Sequence, residues 1–115
     1  AFSATEQIES DAMRALGSDY ILSPAQITQC DSTSDGCGGG WTENAYSYVQ
    51  KAGGLTTDSI YPYPKSCSSL GVTGSCQSVS SSDQKITVTG YSTLKSESQM
   101  ASYVESTGPL SVCLD

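Results

Sequence analysis

The segment Gly36-Cys37-Gly38-Gly39-Gly40-Trp41 and the four further cysteines at 30, 67, 76 and 113 carry the most specific chemistry in this sequence. Three consecutive glycines after a cysteine leave bare, extended backbone against which another peptide can lie. A side chain at any of these positions would block close approach, and glycine alone reaches the positive-φ conformations such a loop requires. The chemistry implied is backbone pairing with a peptide. The five cysteines are an odd number and fit an oxidising compartment. The bland alternative is a set of buried thiols acting as small hydrophobes. Zinc does not suit the sequence, which has no histidine and no Cys-x-x-Cys pair.

These residues need a scaffold, and the composition bounds it. With 115 residues and 37% hydrophobic content, the chain can bury one modest core, as a single unit or as part of a larger one. Twelve acidic against five basic residues give a net charge of −7, which argues against nucleic acid or an anionic membrane surface as partner. No apolar run approaches the ~18 residues that span a bilayer, and the first residues lack the charged and apolar regions of a signal peptide. Any targeting segment is expected outside these residues.

Along the chain, Ala1, Ala4, Ile8, Ala12 and Leu16 line one face of a helix that Gly17 stops. No capping residue precedes it, so the helix is expected to begin upstream. Ser23-Pro24-Ala25-Gln26 combines a cap, a proline at the first helical position and a glutamine able to reach back. Leu22 and Ile27 form a hydrophobic staple around the start of a short helix running to Cys30. Trp41, Ala45, Tyr48, Val49 and Ala52 make a third helical stripe, ended by Gly53-Gly54. Residues 62–82 read as loop. Ile86 and Val88 alternate with Thr87 and Thr89 as in a strand. Ser96-Glu97-Ser98-Gln99 is a capping box opening a helix with Met100, Tyr103 and Val104 inward and Gly108-Pro109 as its stop. Leu110, Val112 and Leu114 share one face of a second strand expected over residues 110–115, and both ends of the sequence are expected to be cut.

In this order, Ala1-Phe2-Ser3-Ala4, Leu22-Ser23-Pro24 to Cys30-Asp31, Gly36-Cys37-Gly38-Gly39-Gly40, Gly53-Gly54, Tyr61-Pro62-Tyr63, Thr89-Gly90-Tyr91 and Gly108-Pro109-Leu110-Ser111-Val112 resemble the papain-like cysteine proteases, in particular the cathepsin L group. The resemblance covers the whole chain. It implies an α+β, papain-like two-domain fold, with residues 1–84 as the mostly helical left domain lacking its start and 85–115 as the beginning of the β-rich right domain. It also implies that the nucleophilic cysteine stands two residues before Ala1, with the oxyanion-hole glutamine further upstream. The histidine and asparagine partners would follow ~130–150 residues after the nucleophile, beyond Asp115. No catalytic residue and no cofactor is then expected within these 115 residues.

What the resemblance assigns to this chain is substrate binding. Gly39 and Gly40 correspond to glycines that pair through their backbone with the substrate residue two before the cut. Trp41 corresponds to a wall of the pocket for that residue's side chain, and Cys113 to the opposite wall. The alternatives are a core aromatic for Trp41 and a buried strand residue for Cys113. A pocket walled by Trp41 favours an apolar or aromatic substrate side chain. Gly38 departs from the family's usual asparagine, and Gln29 replaces a frequent aspartate. The resemblance also pairs Cys30 with the loop after Tyr61-Pro62-Tyr63, at Cys76 rather than Cys67, which is left as an extra thiol. The partner of Cys37 would precede the nucleophile. Glu9 matches a buried glutamate of the family, or is a solvated helix charge.

The implied function is that of a fragment of a cysteine endopeptidase acting on peptides or proteins as a monomer, lysosomal, vacuolar or secreted. Two other classes compete: a papain-fold homologue whose nucleophile has been replaced, and a small secreted disulfide module that binds a partner.

Overall fold

A computed structural model describes residues 1–68 and 71–114. Helix α1 spans Phe2–Leu16 and ends as its glycine dictates: Gly17 turns left-handed at φ 66°, its N–H donating to Met13 O at 3.0 Å while Ser18 N donates to Ala12 O at 3.4 Å. Ala1 occupies the cap position without a side-chain hydrogen bond. Helix α2, Pro24–Cys30, is capped by Ser23, whose Oγ accepts from Gln26 N at 3.0 Å and donates to Tyr61 O at 2.6 Å. A 3₁₀ turn over Gly36–Gly38 leads into α3, Thr42–Ala52, which Gly53 closes at φ 82°. A four-residue helix α4, Lys65–Ser68, and a 3₁₀ turn, Ser81–Asp83, interrupt the stretch expected to be loop. Pro64 precedes α4, its carbonyl accepting from Cys67 N at 2.9 Å. Helix α5, Glu97–Ser106, opens on the expected serine cap, Ser96 Oγ accepting from Gln99 N at 3.2 Å, while Gln99 Oε1 reaches one residue further back than a capping box would and accepts from Lys95 N at 3.1 Å.

The core forms where the stripes of α1, α2 and α3 meet. Ala4, Ile8 and Ala12 of α1 pack with Leu22, Ile27, Ala45, Val49, Leu55 and Ile86. Leu22 and Ile27, the staple pair, are both inside. One polar side chain joins the layers. Gln26 is buried, its Oε1 accepts from Thr56 N at 2.9 Å, and its Nε2 donates to Tyr48 Oη at 3.1 Å and to Gly54 O at 3.4 Å. It thereby satisfies backbone groups that burial would otherwise leave unpaired.

The two alternating segments do not become strands. Among the described residues, pairing is limited to isolated bridges, Leu22 with Thr57 and Leu55 with Ile86. Leu55 N donates to Ile86 O at 2.8 Å, but Thr87, Val88 and Thr89 find no neighbouring strand with which to continue a ladder. Alternation of side chains defines a face, and a strand additionally requires a partner for its backbone groups. Gly54 marks how close that one crossing is: at φ 145°, an added Cβ would stand 2.9 Å from Ile86 O.

Candidate peptide-binding cavity

The glycine turn is wound by its own backbone. Gly38 N donates to Asp35 O at 2.7 Å, Gly39 N to Gly36 O at 3.2 Å, and Asp35 N to Gly39 O at 2.8 Å. Gly39 sits at φ 116°, a conformation that side chains rarely adopt, and a Cβ on Gly40 would collide with Ser34. The turn separates the two glycines by role. Both peptide groups of Gly39 are engaged, whereas Gly40 N–H and C=O make no backbone hydrogen bond among the described residues. Gly40 is exposed and open to an incoming strand.

Trp41 differs from the sequence expectation. It precedes α3 in an extended conformation, φ −100° and ψ 139°, accepts the N–H of Ala45 at its carbonyl, and is 64% exposed. The helical stripe of α3 therefore begins after it, with Ala45 and Val49 as the buried members. The core-aromatic reading of Trp41 is thereby set aside, and Cys113 is likewise exposed rather than buried.

Gly39, Gly40, Trp41 and Cys113, the four residues singled out from the sequence, line one cavity of about 230 Å³. Val112 and Leu114 flank Cys113, and Ala1 and Ser3 bring the first turn of α1 to its edge. The cavity thus lies at the N-terminal end of a 15-residue helix, where the macrodipole leaves roughly half a positive charge.

Residues that local pattern did not reveal hold this arrangement. Ser111 N donates to Gln7 Oε1 at 2.7 Å, Ser111 Oγ donates to Ser3 O at 2.7 Å, and Gln7 Nε2 donates to Pro109 O at 3.1 Å. Burial pushes the hydroxyl pKa of Tyr46 in α3 up, and the nearby Ser111 side chain offsets part of the shift. Asp31, 5% exposed, lines the same cavity. Its Oδ1 accepts from Thr33 N at 3.1 Å and Thr33 Oγ1 at 2.6 Å, while Oδ2 has no partner among the described residues.

A disulfide joins Cys30 at the end of α2 to Cys76, 46 residues on. Around it, Tyr61 Oη donates to Gln29 Oε1 at 2.6 Å and accepts from Gln77 N at 2.9 Å. Gln29 Nε2 in turn contacts the Sγ of buried Cys67 at 3.9 Å, which gives this non-aspartate position a bridging task. Cys37 is an exposed thiol whose N–H donates to Thr73 Oγ1 at 3.0 Å. Glu9 falls between its two readings: it is half-buried, and burial pushes its carboxyl up, opposed by the Leu22 N–H and reinforced by the negative charges of Glu6 and Asp58. No helix among the described residues is long and apolar enough to cross a membrane.

Comparison with known proteins places this geometry in a family. Residues 1–115 match the papain family cysteine proteases. The chain is 32% identical over 117 residues to digestive cysteine proteinase 3 of Homarus americanus, covering all of this chain and 35% of the lobster protein. It is 35% identical over 91 residues to the senescence-specific cysteine protease SAG12 of Arabidopsis thaliana, covering 79% of this chain and 25% of that protein. The structure of digestive procathepsin L 3 from the larval midgut of Tenebrio molitor superposes with a TM-score of 0.79 at 29% identity, covering 92% of this chain and 34% of the other. The chain belongs to the papain family of cysteine proteases. Its fold is papain-like, seen here in its mostly helical part. It spans 25–35% of the length of these curated relatives.

Proposed function

We propose that these residues are the substrate-binding part of a cysteine endopeptidase. The observation that carries the reading is the convergence of Gly39, Gly40, Trp41 and Cys113 on one cavity at the N-terminal end of α1, in a chain of this family. In this reading the helical part, residues 1–84, is the left domain and residues 85–115 begin the right domain. Gly40 offers its open N–H and C=O to the backbone of the substrate residue two before the cut. Gly39 holds the turn in place. That residue's side chain, apolar or aromatic, enters between Trp41 and Cys113.

The nucleophile stands two residues before Ala1, on the axis of α1. The helix macrodipole and an imidazolium from the histidine beyond Asp115 lower its thiol from a pKa of ~8.5 to ~3–4, giving a thiolate at neutral and mildly acidic pH. The sulfur forms a bond to the scissile carbonyl carbon, and the oxygen takes the negative charge, held by the cysteine N–H and a glutamine side chain. Collapse breaks the C–N bond, and the imidazolium proton leaves with the amine. Water, deprotonated by the imidazole, then attacks the acyl carbon, and breaking of the C–S bond releases the acid and restores the thiolate–imidazolium pair. The substrates are peptides or proteins; nucleic acid and membranes are not partners. The enzyme acts as a monomer in a lysosome-like or vacuolar compartment or outside the cell, where the disulfide persists.

The test uses the full-length protein. Hydrolysis of a peptide library, with preference for apolar or aromatic side chains two before the cut and complete loss on alkylation of the cysteine before Ala1, is the expected result. Serine or alanine at that position, or hydrolysis that survives alkylation, overturns the reading; a basic preference overturns the assignment of the pocket.

A further inference from the structure

Residues 109–114 bring Cys113 to the cavity without a strand ladder to hold them. Three side-chain attachments do the holding, and all gather within three residues. Gln7 uses both ends of its carboxamide, Oε1 accepting from Ser111 N at 2.7 Å and Nε2 donating to Pro109 O at 3.1 Å. Ser111 Oγ donates to Ser3 O at 2.7 Å, with Tyr46 of α3 beside the Ser111 side chain. Gln7 itself is oriented by Asp11, whose Oδ1 accepts from Gln7 Nε2 at 3.2 Å and pairs with Arg14 at 3.3 Å. The glycine turn leading into α3 and the 112–114 stretch both line the cavity.

We propose that Gln7 is a positioning residue of the substrate pocket: by gripping Pro109 and Ser111 it sets the distance between the Cys113 wall and the Gly39-Gly40-Trp41 wall, and so tunes substrate affinity and selectivity. This rests on the reading of the cavity as the peptide site. A carboxamide suits the task because one group donates and accepts at once, matching a carbonyl and an N–H two residues apart on an otherwise unladdered segment. Gln7 is not among the residues lining the cavity and does not touch the substrate. Its effect falls on binding, with the chemical step left intact.

The experiment is done on the full-length protein carrying Gln7→Ala or Gln7→Glu. Two quantities are measured: kcat and KM on a preferred and a poor peptide, and the rate at which a maleimide alkylates Cys113, followed by peptide mapping with Cys37 as internal control. Loss of two hydrogen bonds in Gln7→Ala is expected to raise KM for the preferred peptide about tenfold, with kcat within about twofold and with discrimination against the poor peptide reduced. Cys113 alkylation rises several-fold while Cys37 is unchanged. Both KM and Cys113 alkylation within about twofold of the unsubstituted protein overturns the proposal. If the unsubstituted protein hydrolyses no peptide, the protease reading fails, and Cys113 alkylation alone decides for or against the clamp.

Gln7→Glu decides the matter if Gln7→Ala does not fold. An ionised carboxylate accepts from Ser111 N but opposes the Pro109 carbonyl and Asp11, with Arg14 the neighbouring cation and Glu43 and Tyr46 the titratable groups of α3 nearby. The protonated acid donates and accepts as the amide does. The ratio of Cys113 alkylation to that of the unsubstituted protein is therefore expected to return toward one between about pH 7 and about pH 4.5. A ratio that stays constant across that range overturns the clamp.

Discussion

Residues up to Ile86 and residues 87–114 are built to the same local rules and end in different states. Both contain helices opened by a capping serine, Ser23 in one and Ser96 in the other. Yet every buried side chain of the described residues lies at or before Ile86, and α5 buries none. Met100 and Tyr103 line a groove of about 650 Å³ between α5 and α1, instead of closing on it. A cap is satisfied by its own turn, whereas burial requires a second apolar surface within contact distance. The difference teaches that caps determine where a helix starts, and neighbours determine what it buries.

Removing the disulfide tests this contrast most severely, because it ties the earlier region alone. Replacing both Cys30 and Cys76 by serine in the full-length protein should cost about 4 kcal/mol, for a closed loop set by the 46-residue separation. Denaturant unfolding under oxidising conditions measures it, and a loss below about 1 kcal/mol means that the loop is already constrained without the bond. Leu55→Ala and Val104→Ala set the two regions side by side. Leu55 is fully buried and should cost about 3 kcal/mol, whereas Val104, 57% exposed, should cost under about 0.5 kcal/mol. Equal costs would mean that the rest of the full-length protein covers α5, confining the contrast to this third of the fold.

The smallest effect concerns pH. Glu9 has a carboxyl raised by burial, so the folded state holds its proton more tightly than the unfolded chain does. Its contribution to stability is present at low pH and is lost as pH rises through the raised value. Glu9→Gln should flatten stability between mildly acidic and neutral pH without lowering it at the neutral end. Thermal melts of both proteins across that range check the sign, and an unchanged slope assigns the pH dependence to other groups.

Much of the helical part was legible because its signals are local. Gly17 and Gly53 stop their helices, Ser23-Pro24 and Ser96 to Gln99 start theirs, and Ala4, Ile8, Ala45 and Val49 are buried as their spacing indicates. The strands at 86–89 and 110–115 were not, since alternation reports a face and says nothing of a partner; Asp115 lies outside the described residues. Of the cavity, Gly39, Gly40, Trp41 and Cys113 were found by resemblance to a family and share one concavity. Their supports were not found: Gln7 and Ser111 stand 104 residues apart and no short pattern joins them. Asp31 reads as a helix-end residue until its burial against the cavity is seen. Trp41 was misplaced on the α3 stripe because its spacing to Ala45 is helical although its backbone is extended.

Gln26 has a consequence for how its surroundings respond to pH. The junction of α2, α3 and residues 54–56 is wired through an uncharged carboxamide. An amide keeps the same donors and acceptors from neutral water to the sourest vesicle, so acidification alters nothing at that crossing. Insensitivity to pH at this hub is thereby a matter of which functional group stands at position 26.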